Sequence, residues 1–108
     1  MAREITAREL AKQLENGQAI RLIDVRQIAE NQLVKLPNSL LIPLNELQAR
    51  AAEIPVDAAT LTVVYCHHGV RSQSAAEFLL RLGHVKVVSL AGGIDAWSRE
   101  VDPVVPRY

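Results

Sequence analysis

Seven consecutive residues carry the densest chemistry in the chain: Cys66-His67-His68-Gly69-Val70-Arg71-Ser72. They follow an apolar run, Leu61 to Tyr65, and lead into a helical pattern, Ser72 to Leu82. That places them in a loop between a strand and a helix. A short loop there turns its amide N–H groups inward, and the helix adds the positive end of its dipole. The product is an anion cradle with a thiol at its rim. Such surroundings favour the thiolate, the reactive form of cysteine. Gly69 permits a left-handed turn, or a close approach of the backbone to a bound group. Arg71 supplies a permanent positive charge with forked donors suited to an oxyanion. His67 and His68 read either as further donors to that anion or as loop residues facing solvent. Cys66 is the only cysteine, so an intrachain disulfide is impossible and no second thiol of the chain can resolve an intermediate. A lone cysteine by itself reads as a small core residue. A glycine and an arginine in the same loop move that reading toward chemistry. A metal site built from Cys66, His67, His68 and His84 does not match common zinc spacings, and no metal is expected.

The loop must be held by elements on either side. Thr6-Ala7-Arg8-Glu9 has the pattern of a capping box, with a helix following through Leu10, Ala11 and Leu14 and ending near Gly17. Ile20 to Val25 reads as a buried strand, rich in β-branched residues. Ser39 to Ile42 reads as a short strand closed by Pro43. Leu44, Leu47, Ala51 and Ile54 recur at helical spacing before Pro55. Leu61 to Tyr65 and Val85 to Leu90 are further strands, and Gly92-Gly93 opens a last helix carrying Ile94, Trp97 and Val101. Strands alternating with helices in this way require crossover connections and a largely parallel sheet. In such sheets the chemistry gathers beyond the carboxyl ends of the strands. Three places qualify: Asp24 to Arg26, Cys66 to Arg71, and Ala91 to Gly93.

Composition narrows the function classes. The 108 residues suffice for one compact core and not two, so a single domain over residues 1–108 is expected. Hydrophobic residues make up 49% and charged residues 22%, which excludes a disordered chain or a coiled coil. Twelve Lys and Arg balance twelve Asp and Glu, without the basic excess of a nucleic-acid binder. No apolar run is long enough to span a membrane. Met1-Ala2-Arg3-Glu4 leads into a charged stretch rather than an apolar signal core, so the expected compartment is the cytoplasm.

With its flanks, the loop resembles the rhodanese-like sulfurtransferase family. Leu22-Ile23-Asp24-Val25-Arg26 followed by Glu30 is similar to the first signature of that family. Leu41-Ile42-Pro43-Leu44 is similar to the segment that follows, and Cys66 to Ser72 to the active-site loop. Leu90-Ala91-Gly92-Gly93-Ile94, with Trp97 and then Pro103-Val104, is similar to the carboxyl-terminal signature. Each motif alone is weak, but four in order at the right spacings are specific. The pattern departs where the family often carries Gly-His-Ile and then Gly-Ala. Here those positions read Val34-Lys35-Leu36 and Asn38-Ser39.

The resemblance implies a three-layer α/β domain with a central, mostly parallel sheet and helices on both faces. It implies a sulfurtransferase that moves a sulfane sulfur by double displacement, from a donor such as thiosulfate to a thiol or cyanide acceptor. Cys66 would be the nucleophile and persulfide carrier. The amides of residues 67 to 71 would stabilise the persulfide anion. Arg71, with His67 or His68, would hold the anionic end of the donor. Asp24 and Arg26 would brace the site, or simply form a strand-end ion pair, and Ser72 would support the loop. No cofactor is implied. Two rivals remain beside this reading. One is a relay that hands persulfide sulfur to a dedicated acceptor protein. The other is a cysteine-dependent phosphatase of related fold, whose relatives carry one residue more between cysteine and arginine than the four found here at 67–70.

Overall fold

The computed structural model describes residues 1–108. Five strands form one sheet, all in parallel, in the order β1-β5-β4-β2-β3. They are β1 (Glu4–Ile5), β2 (Ile20–Asp24), β3 (Leu40–Leu41), β4 (Leu61–Tyr65) and β5 (Val87–Leu90). The helices are α1 (Ala7–Glu15), α2 (Ile28–Leu33), α3 (Leu47–Arg50), α4 (Val70–Arg81) and α5 (Gly93–Glu100). The central strand β4 is buried at all five positions, as a strand covered on both faces must be.

Alternation along β4 divides the interior into two cores. Leu61, Val63 and Tyr65 pack with Leu10, Leu22, Leu90 and Ile94 on the face covered by α1 and α5. Val64 and Cys66 pack with Ile23, Ile42, Leu47, Ala75, Ala76 and Leu79 on the face covered by α3 and α4. Residues two apart share a face, so the parity of β4 sends Cys66 toward the α4 side. The thiol therefore lies beneath the first turn of the helix that its own loop begins.

The capping box forms as expected: Thr6 Oγ1 accepts from the Glu9 amide at 3.1 Å, and Glu9 Oε1 accepts from the Thr6 amide at 2.9 Å. Other elements differ from expectation. The residues ahead of Thr6 supply β1, whose Glu4 and Ile5 align with Ser89 and Leu90. Helix α2 lies in a stretch with no expected element. It buries no residue, so it has no apolar stripe to betray it. The helical pattern from Leu44 to Ile54 breaks into a 3-10 turn, one α turn (α3) and a second 3-10 turn. Leu47 and Ile54 still reach the core, so burial is satisfied without a regular helix. Strand β5 begins two residues after Val85, which is exposed.

No helix is long and apolar enough to cross a membrane.

Candidate active site

Helix α4 begins at Val70 with Gly69 as its N-cap, in the left-handed region at φ 104°. Glycine brings no side-chain oxygen to cap the helix. The Cys66 sulfur takes that place: it accepts from the Gly69 amide at 3.1 Å and from the Ser72 amide at 3.4 Å. These are amides the first turn of a helix otherwise leaves unpaired. Of the amides expected to point inward, Gly69 donates to the sulfur, and the Ser72 amide, one residue beyond the expected set, joins it. The side chain of Val70 faces solvent.

Ser72, expected to support the loop, contacts the Cys66 sulfur through both its amide and its hydroxyl. The Cys66 thiol donates to Ser72 Oγ at 3.5 Å, while that hydroxyl donates to the Gly69 carbonyl at 3.1 Å and lies 2.7 Å from Ser89 Oγ. Both serines are fully buried. Ser89, on β5, carried no signal in the sequence, because only sheet pairing brings it under the loop.

The far side of the loop is pinned by α5. The Ile94 amide donates to the Cys66 carbonyl at 2.9 Å, and the Asp95 amide to the His67 carbonyl at 3.1 Å. Such close approach requires a glycine at 93. Its φ is +61°, and a Cβ there would fall inside contact distance of the Cys66 and His67 carbonyl oxygens. Gly93→Ala is expected to cost about 1–3 kcal/mol through backbone strain and displacement of the loop. Thermal unfolding and the rate of Cys66 alkylation check this. Wild-type values for both would show that the loop has room to spare.

Asp24 and Arg26 form a fully buried ion pair. Arg26 Nε donates to Asp24 Oδ1 at 2.9 Å, and one terminal nitrogen donates to Asp24 Oδ2 at 2.8 Å. That terminal nitrogen also donates to the Val34 carbonyl at 2.6 Å, and the other to the Tyr108 hydroxyl at 2.9 Å. The segment that departs from the family pattern is thus held through its backbone. Arg26 takes the carbonyl of Val34, the Leu36 amide donates to the Tyr65 hydroxyl at 3.2 Å, and Ser39 Oγ donates to the Leu36 carbonyl at 2.8 Å.

Arg71, expected to await an anion, already holds one. Its two terminal nitrogens donate to the two carboxylate oxygens of Glu30 at 2.7 and 3.0 Å. Glu30 also accepts from the Gln27 amide at 3.0 Å and from the Tyr108 hydroxyl at 2.8 Å. The Arg71 guanidinium foremost, against the effect of partial burial, holds the Glu30 carboxyl down at about 2. Burial foremost pushes the Tyr108 phenol up to about 12, so this hydroxyl stays neutral and bridges Arg26 to Glu30.

His67 is stacked between His68 and Tyr108, with ring centroids 3.9 Å apart on each side. Burial, then the neighbouring His68, lowers its pKa, so it is neutral at pH 7. His68 is largely exposed and lies 4.0 Å from Asp95. The ligating atoms of His67, His68 and Asp95 fall within 4.8 Å of one another. Asp95, however, already binds Arg99 and Arg107 at 2.9 Å each. With Asp95 so engaged and the two imidazoles stacked on each other, these residues make a poor metal site. His84 stands beyond the far end of α4, away from the loop.

Cys66 itself is 1% exposed. None of the three cavities of the molecule is lined by it or by its loop.

Comparison with known proteins agrees with this architecture. The rhodanese-like domain model matches residues 6–100. A sulfurtransferase from Allochromatium vinosum is 35% identical over 105 residues, covering 97% of this chain and 96% of that protein. The adenylyltransferase and sulfurtransferase uba4 from Ogataea parapolymorpha is 38% identical over 97 residues, covering 90% of this chain but only 25% of its own length. A crystal structure of a rhodanese-related protein from Thermoplasma volcanium superposes with a TM-score of 0.83 at 34% identity, covering 98% and 99% of the two chains. A parallel five-stranded sheet, a cysteine loop capped onto α4 and a family match across nearly the whole length lead to one conclusion: the chain belongs to the rhodanese-like domain family.

Proposed function

We propose that this chain, as one domain, is a sulfurtransferase that carries a sulfane sulfur on Cys66 as a persulfide. The observation that carries this reading is the sulfur of Cys66 seated on two amides at the start of α4, with a buried hydroxyl beside it. The four residues between Cys66 and Arg71, one fewer than in the phosphatase-like relatives, weigh against the phosphatase. With thiosulfate as donor, the Cys66 thiolate attacks the outer sulfur and forms a new S–S bond. The S–S bond of thiosulfate breaks, and sulfite leaves with the electron pair. Cyanide or a thiolate then attacks the terminal sulfur and restores the Cys66 thiolate. Donor and acceptor balance between themselves, so neither step calls on a cofactor.

Ser72 follows the charge. Once the thiol has lost its proton, the Ser72 hydroxyl is free to turn from the Gly69 carbonyl and donate to the sulfur. Amides fixed by α4 and α5 need no reorganisation as charge moves onto the sulfur, which is how preorganised donors lower a barrier.

The relay to an acceptor protein is supported by a separate observation. Arg71 is occupied by Glu30, so a small anion must compete for it. The relatives named adenylyltransferase and sulfurtransferase carry this domain within much longer chains. We place the reaction in the cytoplasm, where thiol acceptors stay reduced.

Intact-mass measurement after incubation with thiosulfate tests the central step. The expected result is a gain of one sulfur atom on Cys66, released as thiocyanate by cyanide. A chain that gains no sulfur from thiosulfate, nor from a protein persulfide, would overturn the reading.

A further inference from the structure

The geometry points to Glu30 as the residue that sets the charge of the sulfur donor, favouring donors with one negative charge over dianions such as thiosulfate. This rests on the persulfide reading of Cys66.

The two guanidinium groups nearest the strand ends are already matched one to one. Arg26 is matched by Asp24 and Arg71 by Glu30, while Arg99 and Arg107 share the single carboxylate of Asp95. His67 is neutral, so it adds no charge. Arg71 lies in the first turn of α4, next to the Ser72 amide that holds the Cys66 sulfur, so it is the arginine an incoming sulfonate would meet. Both of its terminal nitrogens are taken in a fork-to-fork pair, the arrangement a sulfonate would itself need. A dianionic donor must therefore either displace Glu30, which the Gln27 amide and Tyr108 hydroxyl also hold, or approach with a carboxylate beside it. A donor with one charge, already spent on its reacting sulfur, needs neither.

Methanethiosulfonate is the discriminating probe. It presents the same sulfur–sulfur bond as thiosulfate, with a methyl group in place of one charged oxygen. Attack by the Cys66 thiolate forms the persulfide and releases methanesulfinate with the electron pair, as thiosulfate releases sulfite. The experiment measures kcat/KM for both donors, with cyanide as acceptor, at low ionic strength. Wild type is expected to favour methanethiosulfonate. Glu30→Gln keeps the capping geometry of α2, since glutamine serves in a capping box. It removes the charge and should shift the donor ratio about tenfold toward thiosulfate. Glu30→Asp keeps the charge and should retain the wild-type preference. Added salt should narrow the wild-type ratio. Because both donors are read on one preparation, the ratio does not depend on the folded fraction. A Glu30→Gln ratio within twofold of wild type, with both donors loading Cys66, would overturn the role of Glu30 alone. A wild-type chain that gains sulfur from neither donor would overturn this inference, and one that also gains none from a protein persulfide would overturn the persulfide reading itself.

Discussion

Cys66→Ser is expected to abolish sulfur loading while leaving the fold in place. Serine is nearly isosteric with cysteine, and Cys66 is only 1% exposed, so the volume change at the base of α4 is small. The new hydroxyl inherits working partners: it can accept from the Gly69 amide and donate to Ser72 Oγ, as the thiol does. A buried hydroxyl with partners costs about 1 kcal/mol or less, a shift of roughly 4–8 °C in Tm at most for a domain of this size. The chemistry is a different matter. A serine hydroxyl is far less acidic than a thiol, so almost none is ionised at neutral pH, and it forms no stable linkage to a sulfane sulfur. Loss of a nucleophile of this kind costs on the order of a thousandfold or more. Mass spectrometry after incubation with donor, thiocyanate formation and a thermal melt together decide the matter. A folded Cys66→Ser chain that still produces thiocyanate would sink the mechanism.

The largest stability effect belongs to Asp24. Arg26 and Asp24 are both without solvent contact, and the carboxylate accepts from the Arg26 side chain twice, from its own-turn amide at 3.0 Å, and from Asn31 at 3.0 Å. Asp24→Ala leaves a guanidinium buried with no counter-charge. Breaking a buried pair on one side costs about 3–5 kcal/mol, against a total stability of roughly 5–15 kcal/mol for a typical domain. The expected fall in Tm is on the order of 15–30 °C. Replacing both partners with apolar residues of similar volume, as in Asp24→Leu with Arg26→Met, should recover part of the loss. Thermal unfolding of the single and double variants distinguishes the two cases. A single variant within about 1 kcal/mol of wild type would show that water reaches Arg26 and solvates it. The pair is buried at the strand end, and through Tyr108 it connects to Glu30 and Arg71.

Much of the scaffold was legible because its signals are local. A capping box needs only Thr6 and Glu9, three residues apart. A strand buried on both faces shows itself as the unbroken apolar run Leu61 to Tyr65. The turn before α4 needs a left-handed residue, and Gly69 stands there. Parity along β4 then follows from a period of two, and with it the face toward which Cys66 points. Elements without a local signal were silent. Strand β1 is two residues long and exists because β5 offers an unpaired edge. Helix α2 buries nothing and is held by polar contacts to distant parts of the chain.

The amino-acid sequence by itself determined where the lone thiol sits and which loop surrounds it, since both follow from residues adjacent in the chain. The tertiary structure alone decided what Arg71 does. Its partner Glu30 is 41 residues away, and no periodicity relates the two. They meet because β2 and β4 lie side by side in parallel, with Asp24 level with Tyr65, so the segments leaving those strands emerge together at one end of the sheet. The pairing of β4 with β5, with Val64 level with Ser89, lays Ser89 beneath Ser72, and the path of the last residues brings Tyr108 across His67. Charge and hydrogen-bonding capacity are written in each residue, but an arginine can be free or neutralised, and only the fold chooses. Here it chose a carboxylate, and a site that reads in sequence as an open anion receptor is closed by an anion of its own.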